Sequence, residues 1–127
     1  MKINLTSVLV DDQDKALKFY TEVLGFVVKH NIPIGEFKWL TVISPEGHYD
    51  VELLLEPNQN PAAQTFQEAL FEQGIPLTAF NVHDTDAEYE RLLAHGVEFK
   101  TAPMQAGPAK IAVFNDTCGN WIQILQV

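Results

Sequence analysis

Val10–Phe26 reads VDDQDKALKFYTEVLGF and combines the end of a strand, a helix cap, an amphipathic helix and a glycine stop. Asp11, Asp12 and Asp14 can accept hydrogen bonds from the free N–H groups of a first helical turn. Apolar residues then recur at three- and four-residue steps, which predicts one buried helix face. That face contains Ala16, Leu17, Phe19, Tyr20, Val23 and Leu24. Gly25 can adopt the left-handed conformation that ends a helix, so a second strand is expected from Phe26.

The same order of features returns in the second half of the chain. Val82–Phe99, VHDTDAEYERLLAHGVEF, again gives valine, an aspartate cap at Asp84, a short helix, glycine and a strand. The turns repeat as well, because SPEG precedes VELLL and DTCG precedes WIQIL, with Glu52 and Gln123 at equivalent places. A chance repetition of a common strand-helix-strand pattern is the alternative. The repeat predicts an α+β fold of two βαβββ modules, with curved mixed sheets and the helices outside.

The length of 127 residues suits one domain, residues 1–127. Module 1 is expected at about 1–56, a connector with a short helix over Ala62–Phe71 at 57–74, and module 2 at about 75–127. The prolines of the two sheets are expected to end strands early. The second strand should stop at His30 before Pro33, and the strand after the second helix should stop at Lys100 before Pro103.

Charge and cysteine content narrow the classes of partner. The net charge of −9 argues against nucleic acid, which is bound through basic patches. Cys118 is the only cysteine, so no intrachain disulfide is possible and a reducing cytoplasm is expected. The N-terminus lacks the long apolar core of a signal peptide, and no apolar run approaches the about 20 residues that span a bilayer. We therefore expect no nucleic acid and no membrane as partners.

The chain resembles the vicinal oxygen chelate superfamily, which includes glyoxalase I, bleomycin-resistance proteins and extradiol dioxygenases. The residues that carry the resemblance are V-x-D-x-x-K-A-L-K-F-Y-T-E-V-L-G-F from Val10 and D-T-C-G-N-W-I-Q-I-L from Asp116, and the match covers nearly the whole chain. The resemblance implies the paired-module fold and a homodimer. It does not specify the reaction, because members of one fold differ in chemistry.

The resemblance also implies where a metal would bind. Members that chelate metal place histidines early on the first strand of each half and carboxylates on the last. Counting from Val10 and Val82, these positions fall on Leu5, Leu77, Glu52 and Gln123. Leucine has no lone pair to donate, and one carboxylate with one amide is too little for Zn, Ni, Fe or Mn. We therefore expect no metal and no other cofactor.

A metal site elsewhere remains an alternative. His48, Asp50 and Glu52 would share one face if their strand began that early, although His48 is more simply read as a turn residue. The other histidines (His30, His83 and His95) lie at predicted element ends, where a solvated histidine or a helix-end contact is the usual outcome. Cys118 has no histidine near it in sequence, which favours an inert turn cysteine over a nucleophile.

Strand alternation predicts a largely apolar cleft on the faces opposite the helices. The predicted ligand-binding residues are Leu5, Ser7, Trp39, Thr41, Glu52, Leu54, Leu77, Asn81, Trp121 and Gln123. A buried Glu52 would need a hydrogen bond, a raised pKa or a cationic ligand. The alternative is that Trp39 and Trp121 fill a core or a dimer interface.

The functional prediction is a metal-free protein that binds a small aromatic or cationic molecule in this cleft. Resistance proteins that resemble the chain are acidic, dimeric and trap such compounds between aromatic side chains. One alternative is a metal-dependent lyase, isomerase or dioxygenase of the glyoxalase I type. A second is a non-catalytic interaction or sensor domain. No catalytic residue is assigned.

Overall fold

The computed structural model describes residues 1–127, which divide into two compact units, Met1–Gln64 and Thr65–Val127. The first unit contains β1 (Leu5–Val10), α1 (Gln13–Lys18), a π-helical turn (Phe19–Val23), β2 (Val27–Ile34), β3 (Phe37–Ile43) and β4 (Glu52–Pro57). Its sheet has the order β1-β4-β3-β2. β1 is parallel to β4, and the other neighbours are antiparallel.

Helix α2 (Pro61–Gln73) leads into the second set of elements. These are β5 (Thr78–Asn81), α3 (Thr85–Ala94), β6 (Phe99–Ala106), β7 (Ala109–Asn115) and β8 (Trp121–Gln126). Their sheet has the order β5-β8-β7-β6, with β5 parallel to β8. Two mixed sheets, each built from a strand-helix-strand-strand-strand unit, confirm the predicted fold class.

Asp12, one of the three cap candidates in the first module, and the predicted Asp84 both cap their helices. The Asp12 carboxylate accepts hydrogen bonds from the backbone N–H groups of Asp14 and Lys15, at 2.9 and 3.1 Å. Asp84 accepts from the N–H of Ala87 at 3.1 Å. These bonds satisfy N–H groups that the first turn of a helix leaves without an intrahelical partner.

Helix α1 is fastened to its sheet by Gln13, the residue after the cap. Its buried amide nitrogen donates to the carbonyls of Lys38 and Leu55, both at 2.8 Å, and its amide oxygen accepts from the N–H of Lys38 at 3.0 Å. The Lys38 ammonium also pairs with Asp14 on the helix.

The second unit repeats this attachment with a smaller residue. Thr85 follows the Asp84 cap, and its hydroxyl donates to the carbonyl of Lys110 at 2.8 Å. The Lys110 ammonium pairs with Asp86, just as Lys38 pairs with Asp14. The structural repeat therefore extends to individual hydrogen bonds.

Each sheet buries one face against its helix. Alternate strand residues on that face are buried because side chains along a strand point in opposite directions. In the first unit they are Val8, Val10, Leu40, Val42 and Leu55, packed with Ala16, Phe19 and Tyr20. In the second they are Ala112, Phe114, Ile122 and Ile124, packed with Leu92.

The predicted early ends of β2 and β6 are wrong. β2 continues to Ile34, with Pro33 opposite Lys38, and β6 continues through Pro103 to Ala106. Both are edge strands, where a proline can turn its missing N–H away from the ladder. A proline ends a central strand, but it does not have to end an edge strand.

Helix α2 turns the polar Gln67, and not the neighbouring Phe66, toward the rest of its unit. Phe66 is 53% exposed, whereas the polar Gln67 is buried. The Gln67 amide donates to the carbonyl oxygen of Cys118 at 3.1 Å and to the Asn120 amide oxygen at 2.9 Å. A specific pair of hydrogen bonds thus decides which side of the helix packs.

The turn before β8 is organised by Asp116, which is fully buried. One carboxylate oxygen accepts from the N–H groups of Cys118 and Asn120, at 2.8 and 3.1 Å. The other accepts from the side-chain amide of Asn120 at 2.8 Å. Gly119 has φ of +101°, which favours glycine, and a Cβ there would lie 2.8 Å from the Gln67 amide nitrogen.

Candidate functional site

The strand registers place the predicted residues of the first module on one face of its sheet. Leu5 lies opposite Glu52 and Ser7 opposite Leu54, and Leu54 also lies opposite Thr41. Trp39 is two residues before Thr41 and therefore points to the same side. All six residues lie on the face opposite α1, with Thr41 and Leu54 buried.

The four predicted residues of the second module also share a face. Gln123 lies opposite Ala79 and Val113, and Leu125 lies opposite Asn81. Because Thr78 is opposite Ile122, Leu77 lies beside Trp121. The set Leu77, Asn81, Trp121 and Gln123 is therefore on the side away from the buried face of Ile122 and Ile124.

The predicted equivalence of Glu52 and Gln123 is wrong by two residues. Leu5 and Leu77 stand at matching distances before the caps Asp12 and Asp84. Leu5 lies opposite Glu52, whereas Leu77 lies beside Trp121. The parallel drawn between the two turns misaligned the strands because the turns, residues 44–51 and 116–120, differ in length.

The pairing of β4 with β3 and of β8 with β7 gives the same shift of two residues. Leu54 lies opposite Thr41, and Gln123 lies opposite Val113. Thr41 and Val113 are each the middle of three consecutive buried residues in the third strand of their module. Gln123 therefore corresponds to Leu54, and Trp121 corresponds to Glu52.

Glu52 is the polar centre of the first module's open face, and its side chain is 16% exposed. One carboxylate oxygen accepts a hydrogen bond from the Thr41 hydroxyl at 2.8 Å and lies 3.6 Å from Nε2 of His30. The other lies 3.4 Å from the Lys29 ammonium. Of the three expectations for this residue, the hydrogen bond is present, and the positive charge beside the carboxylate is that of Lys29, not of a ligand.

These contacts lower the pKa of Glu52 from its ordinary value of 4.5. The hydrogen bond from Thr41 is the largest cause and the positive charge of Lys29 adds to it, while burial acts in the opposite direction. A raised pKa, one of the expectations from sequence, does not occur.

The lowered pKa predicts how Glu52 contributes to stability as the pH changes. Since the folded-state pKa is below the unfolded one, the contribution is complete above the ordinary value of 4.5 and is lost as the pH falls through the folded value. We expect the unfolding free energy to fall less between pH 7 and acid in Glu52→Gln than in the wild type. Urea denaturation at the two pH values measures this fall. Glu68→Gln, at an exposed position of α2, controls for removal of one carboxylate. Equal acid sensitivity of Glu52→Gln and the wild type would contradict the prediction.

The residues present do not fit a metal at the family position. Leu5 and Leu77 offer no donor atoms, and Glu52 is held by Thr41 and Lys29. β4 begins at Glu52, so the alternation that would align His48, Asp50 and Glu52 is absent, and Asp50 pairs with Lys2. No group of three or more His, Cys, Asp or Glu side chains is arranged to hold a metal ion.

Trp121 is engaged in packing within its own unit. Its ring stacks on Phe71 of α2, with centroids 4.8 Å apart and planes 4° from parallel. Its indole N–H donates to the Phe71 carbonyl at 3.1 Å. Trp121 therefore supports α2, in line with the alternative role foreseen for the tryptophans, while Trp39 is half-buried on β3.

Two residues at this site were missed in the sequence, Lys29 and His30. His30 was placed at a strand end, but it lies within β2 opposite Thr41 because the strand continues through Pro33. Lys29 reaches Glu52 through a break in register that sequence periodicity does not show. The available signal was the repeat itself, since Lys29 and Lys100 occupy the same place in VVKH and EFKT.

Cys118 and the other histidines lie in a buried turn, at a helix end or at the surface, and not in a cluster that could hold a metal ion. Cys118 is buried in the Asp116 turn. Nδ1 of His95 contacts the Arg91 carbonyl at the end of α3, at 2.9 Å. His48 and His83 are exposed, and Asp84 beside His83 serves as the helix cap. No helix has the length and apolar character needed to cross a membrane.

Comparison with known proteins identifies the family. The model of the Glyoxalase/Bleomycin resistance protein/Dioxygenase superfamily matches residues 2–124. The uncharacterized protein YurT of Bacillus subtilis (strain 168) is 53% identical over 126 residues, covering 99% of each chain.

Solved structures share the fold over nearly the whole chain. UcmS2 is 35% identical with a TM-score of 0.83, covering 98% of this chain and 97% of its own. TnmS3, described as an antibiotic binding protein from Streptomyces sp. CB03234, is 31% identical with a TM-score of 0.77, covering 99% and 95%. The duplicated modules, the turn at Asp116 and these matches show that the chain belongs to the glyoxalase/bleomycin resistance protein/dioxygenase superfamily.

Proposed function

We propose that the protein binds a small aromatic molecule, without a metal, on the helix-free face of its first sheet. The observation that carries the proposal is the composition of this face, where apolar side chains surround one hydrogen-bonded polar centre. Trp39, Leu54 and Leu5 supply apolar surface around Glu52 and Thr41. Small-molecule sites commonly combine apolar lining with a few placed polar groups.

Similarity to TnmS3 supports the same class of function. That protein is described as antibiotic binding, and it matches almost the full length of this chain at 31% identity. A metal-dependent lyase, isomerase or dioxygenase is disfavoured because Leu5 and Leu77 have no atoms that can coordinate a metal. A homodimer in the cytoplasm belongs to the same proposal, supported by exposed apolar residues on β2 and β3 (Ile32, Ile34 and Phe37) and by the single buried cysteine.

The proposal predicts ligand-dependent stabilisation that a single bulky side chain abolishes. Ser7 and Thr6 are exposed neighbours on β1 whose side chains point to opposite faces. We expect bicyclic aromatic compounds such as quinoline to raise the melting temperature and change tryptophan fluorescence. At a hundredfold excess over Kd the stabilisation should be about 2.7 kcal/mol. Ser7→Phe should weaken binding about tenfold or more, equivalent to about 1.4 kcal/mol, because it fills the proposed face.

Thr6→Phe is the matched control, since it adds the same ring to the opposite face of the same strand. Binding that Thr6→Phe and Ser7→Phe weaken equally would argue against the assigned face. A broad aromatic panel without effect on melting or fluorescence would argue against the function. Stoichiometric divalent metal in protein purified without chelators would instead support the metal-dependent enzyme.

A further inference from the structure

A break in the β2–β3 register directs Lys29 toward Glu52. Val28 lies opposite Val42 and His30 lies opposite Thr41, which leaves Lys29 as an extra residue between them. In an uninterrupted strand Lys29 and His30 would point to opposite faces. The bulge allows both side chains to approach the Glu52 carboxylate, at 3.4 and 3.6 Å.

The Lys29 ammonium is held in place by more than its ionic partner. It donates to the carbonyl oxygen of Tyr49 at 3.1 Å and lies 5.5 Å from the centre of the Tyr49 ring. Its side chain is 28% exposed, so part of its hydration is replaced by these protein contacts. A cation with a carbonyl, an aromatic ring and a carboxylate around it occupies a defined site.

The second module also has a lysine at a β-bulge, but this lysine contacts an aromatic ring and not a carboxylate. The β6–β7 register breaks between Phe99 and Thr101, leaving Lys100 as the extra residue. The Lys100 ammonium lies 6.0 Å from the centre of the Trp121 ring, and Trp121 corresponds to Glu52 in register. In both modules a bulge lysine therefore reaches the first residue of the last strand. The backbone geometry, and not the partner's charge alone, sets the position of the ammonium.

We propose that Lys29 is a built-in cation that neutralises Glu52, so that the first sheet's face accepts uncharged aromatic molecules and disfavours cationic ones. The proposal rests on the proposed function and specifies its ligand class. A cationic ligand would have to displace an ammonium that already has three kinds of protein contact, or lie close to a like charge. Specificity gained through such repulsion is a general way to discriminate between similar ligands. The cationic ligand expected from sequence is replaced by an uncharged one.

The first test compares quinoline with N-methylquinolinium, which differ in charge and little in shape. We expect the wild type to bind quinoline more tightly. Lys29→Met keeps the apolar stem but removes the ammonium, and it should improve binding of N-methylquinolinium about tenfold, equivalent to about 1.4 kcal/mol. Lys29→Met combined with Glu52→Gln should lose this gain, because the negative charge is then absent.

Lys38→Met is the matched control. Lys38 also pairs with a carboxylate, but the Asp14 side chain is 78% exposed, so water screens it after the lysine is removed. This variant should leave the preference between the two compounds unchanged. A preference for N-methylquinolinium in the wild type, or the same gain in Lys38→Met as in Lys29→Met, would overturn the proposal.

The second test needs no aromatic ligand. Lys29→Ala removes most of the side chain, and propylammonium chloride can supply the missing ammonium. We expect propylammonium to raise the melting temperature of Lys29→Ala more than sodium chloride does at equal ionic strength. The wild type and Lys29→Ala combined with Glu52→Gln should respond equally to the two salts. Binding to the folded state alone produces such a shift.

The two tests separate the built-in cation from the function on which it is argued. Rescue by propylammonium without binding of any aromatic compound would support the cation site and contradict the proposed function. Binding of quinoline without rescue, and without a gain for N-methylquinolinium in Lys29→Met, would support the function and overturn the cation site.

Discussion

Asp116→Ala should lower the free energy of unfolding by about 3 kcal/mol, because buried hydrogen-bond donors without partners are costly. The Asp116 carboxylate accepts from two backbone N–H groups, those of Cys118 and Asn120, and from the Asn120 side-chain amide. All three residues are buried, so water does not readily replace the lost acceptor. The Asn120 amide oxygen also accepts a hydrogen bond from the Gln67 amide on α2. The loss of stability should therefore extend to that helix. Urea denaturation of the wild type and the variant measures the difference.

Asn115→Ala provides a control in the same turn. The Asn115 amide oxygen accepts from the N–H of Thr117 at 2.7 Å, but this bond is exposed. Water can therefore satisfy the N–H after the substitution, and the expected loss is about 1 kcal/mol or less. Equal effects of Asp116→Ala and Asn115→Ala would show that burial does not determine the strength of this turn.

Gln13→Leu should cost about 2–3 kcal/mol of unfolding free energy, because it removes three hydrogen bonds at the base of α1. The change keeps the side chain's approximate size and leaves the N–H and carbonyl of Lys38 and the carbonyl of Leu55 without this partner. The equivalent change in the second module, Thr85→Val, removes the hydroxyl bond to the Lys110 carbonyl and should cost about 1 kcal/mol.

Urea denaturation of both variants tests whether the loss of unfolding free energy follows the number of hydrogen bonds removed. The Gln13→Leu loss should exceed the Thr85→Val loss. A larger loss in Thr85→Val would mean that the hydrogen bonds to β3, β4 and β7 do not set the strength of helix docking.

The features that the sequence predicted correctly depend on neighbouring residues. The aspartate cap of each first helix was recognised, at Asp84 and among Asp11, Asp12 and Asp14, because an aspartate just before an amphipathic run is a typical helix start. Strand alternation gave the correct face for every predicted residue from Leu5 to Gln123, since a shift of two positions preserves the face. The same argument explains why the error between Gln123 and Trp121 did not affect the face.

The incorrect predictions concern interactions between distant parts of the chain. Pro33 ends a strand only when its N–H position is needed by a neighbour, and the sequence does not state that β2 is at an edge. Phe66 is the more apolar residue of α2, yet Gln67 is buried because Cys118 and Asn120 offer it two acceptors. Local hydrophobicity does not contain that information.

The duplicated βαβββ order, the capped helices and the set of side chains on each helix-free face can be predicted from the chain alone, because they follow from periodicity and from contacts within a few residues. Which residues meet at Glu52 depends instead on how the folded strands pair. A bulge between Val28 and His30 and the length of turn 44–51 set the register, and register brings Lys29, His30 and Thr41 to one carboxylate. Register depends on pairing between distant strands, which no local pattern encodes.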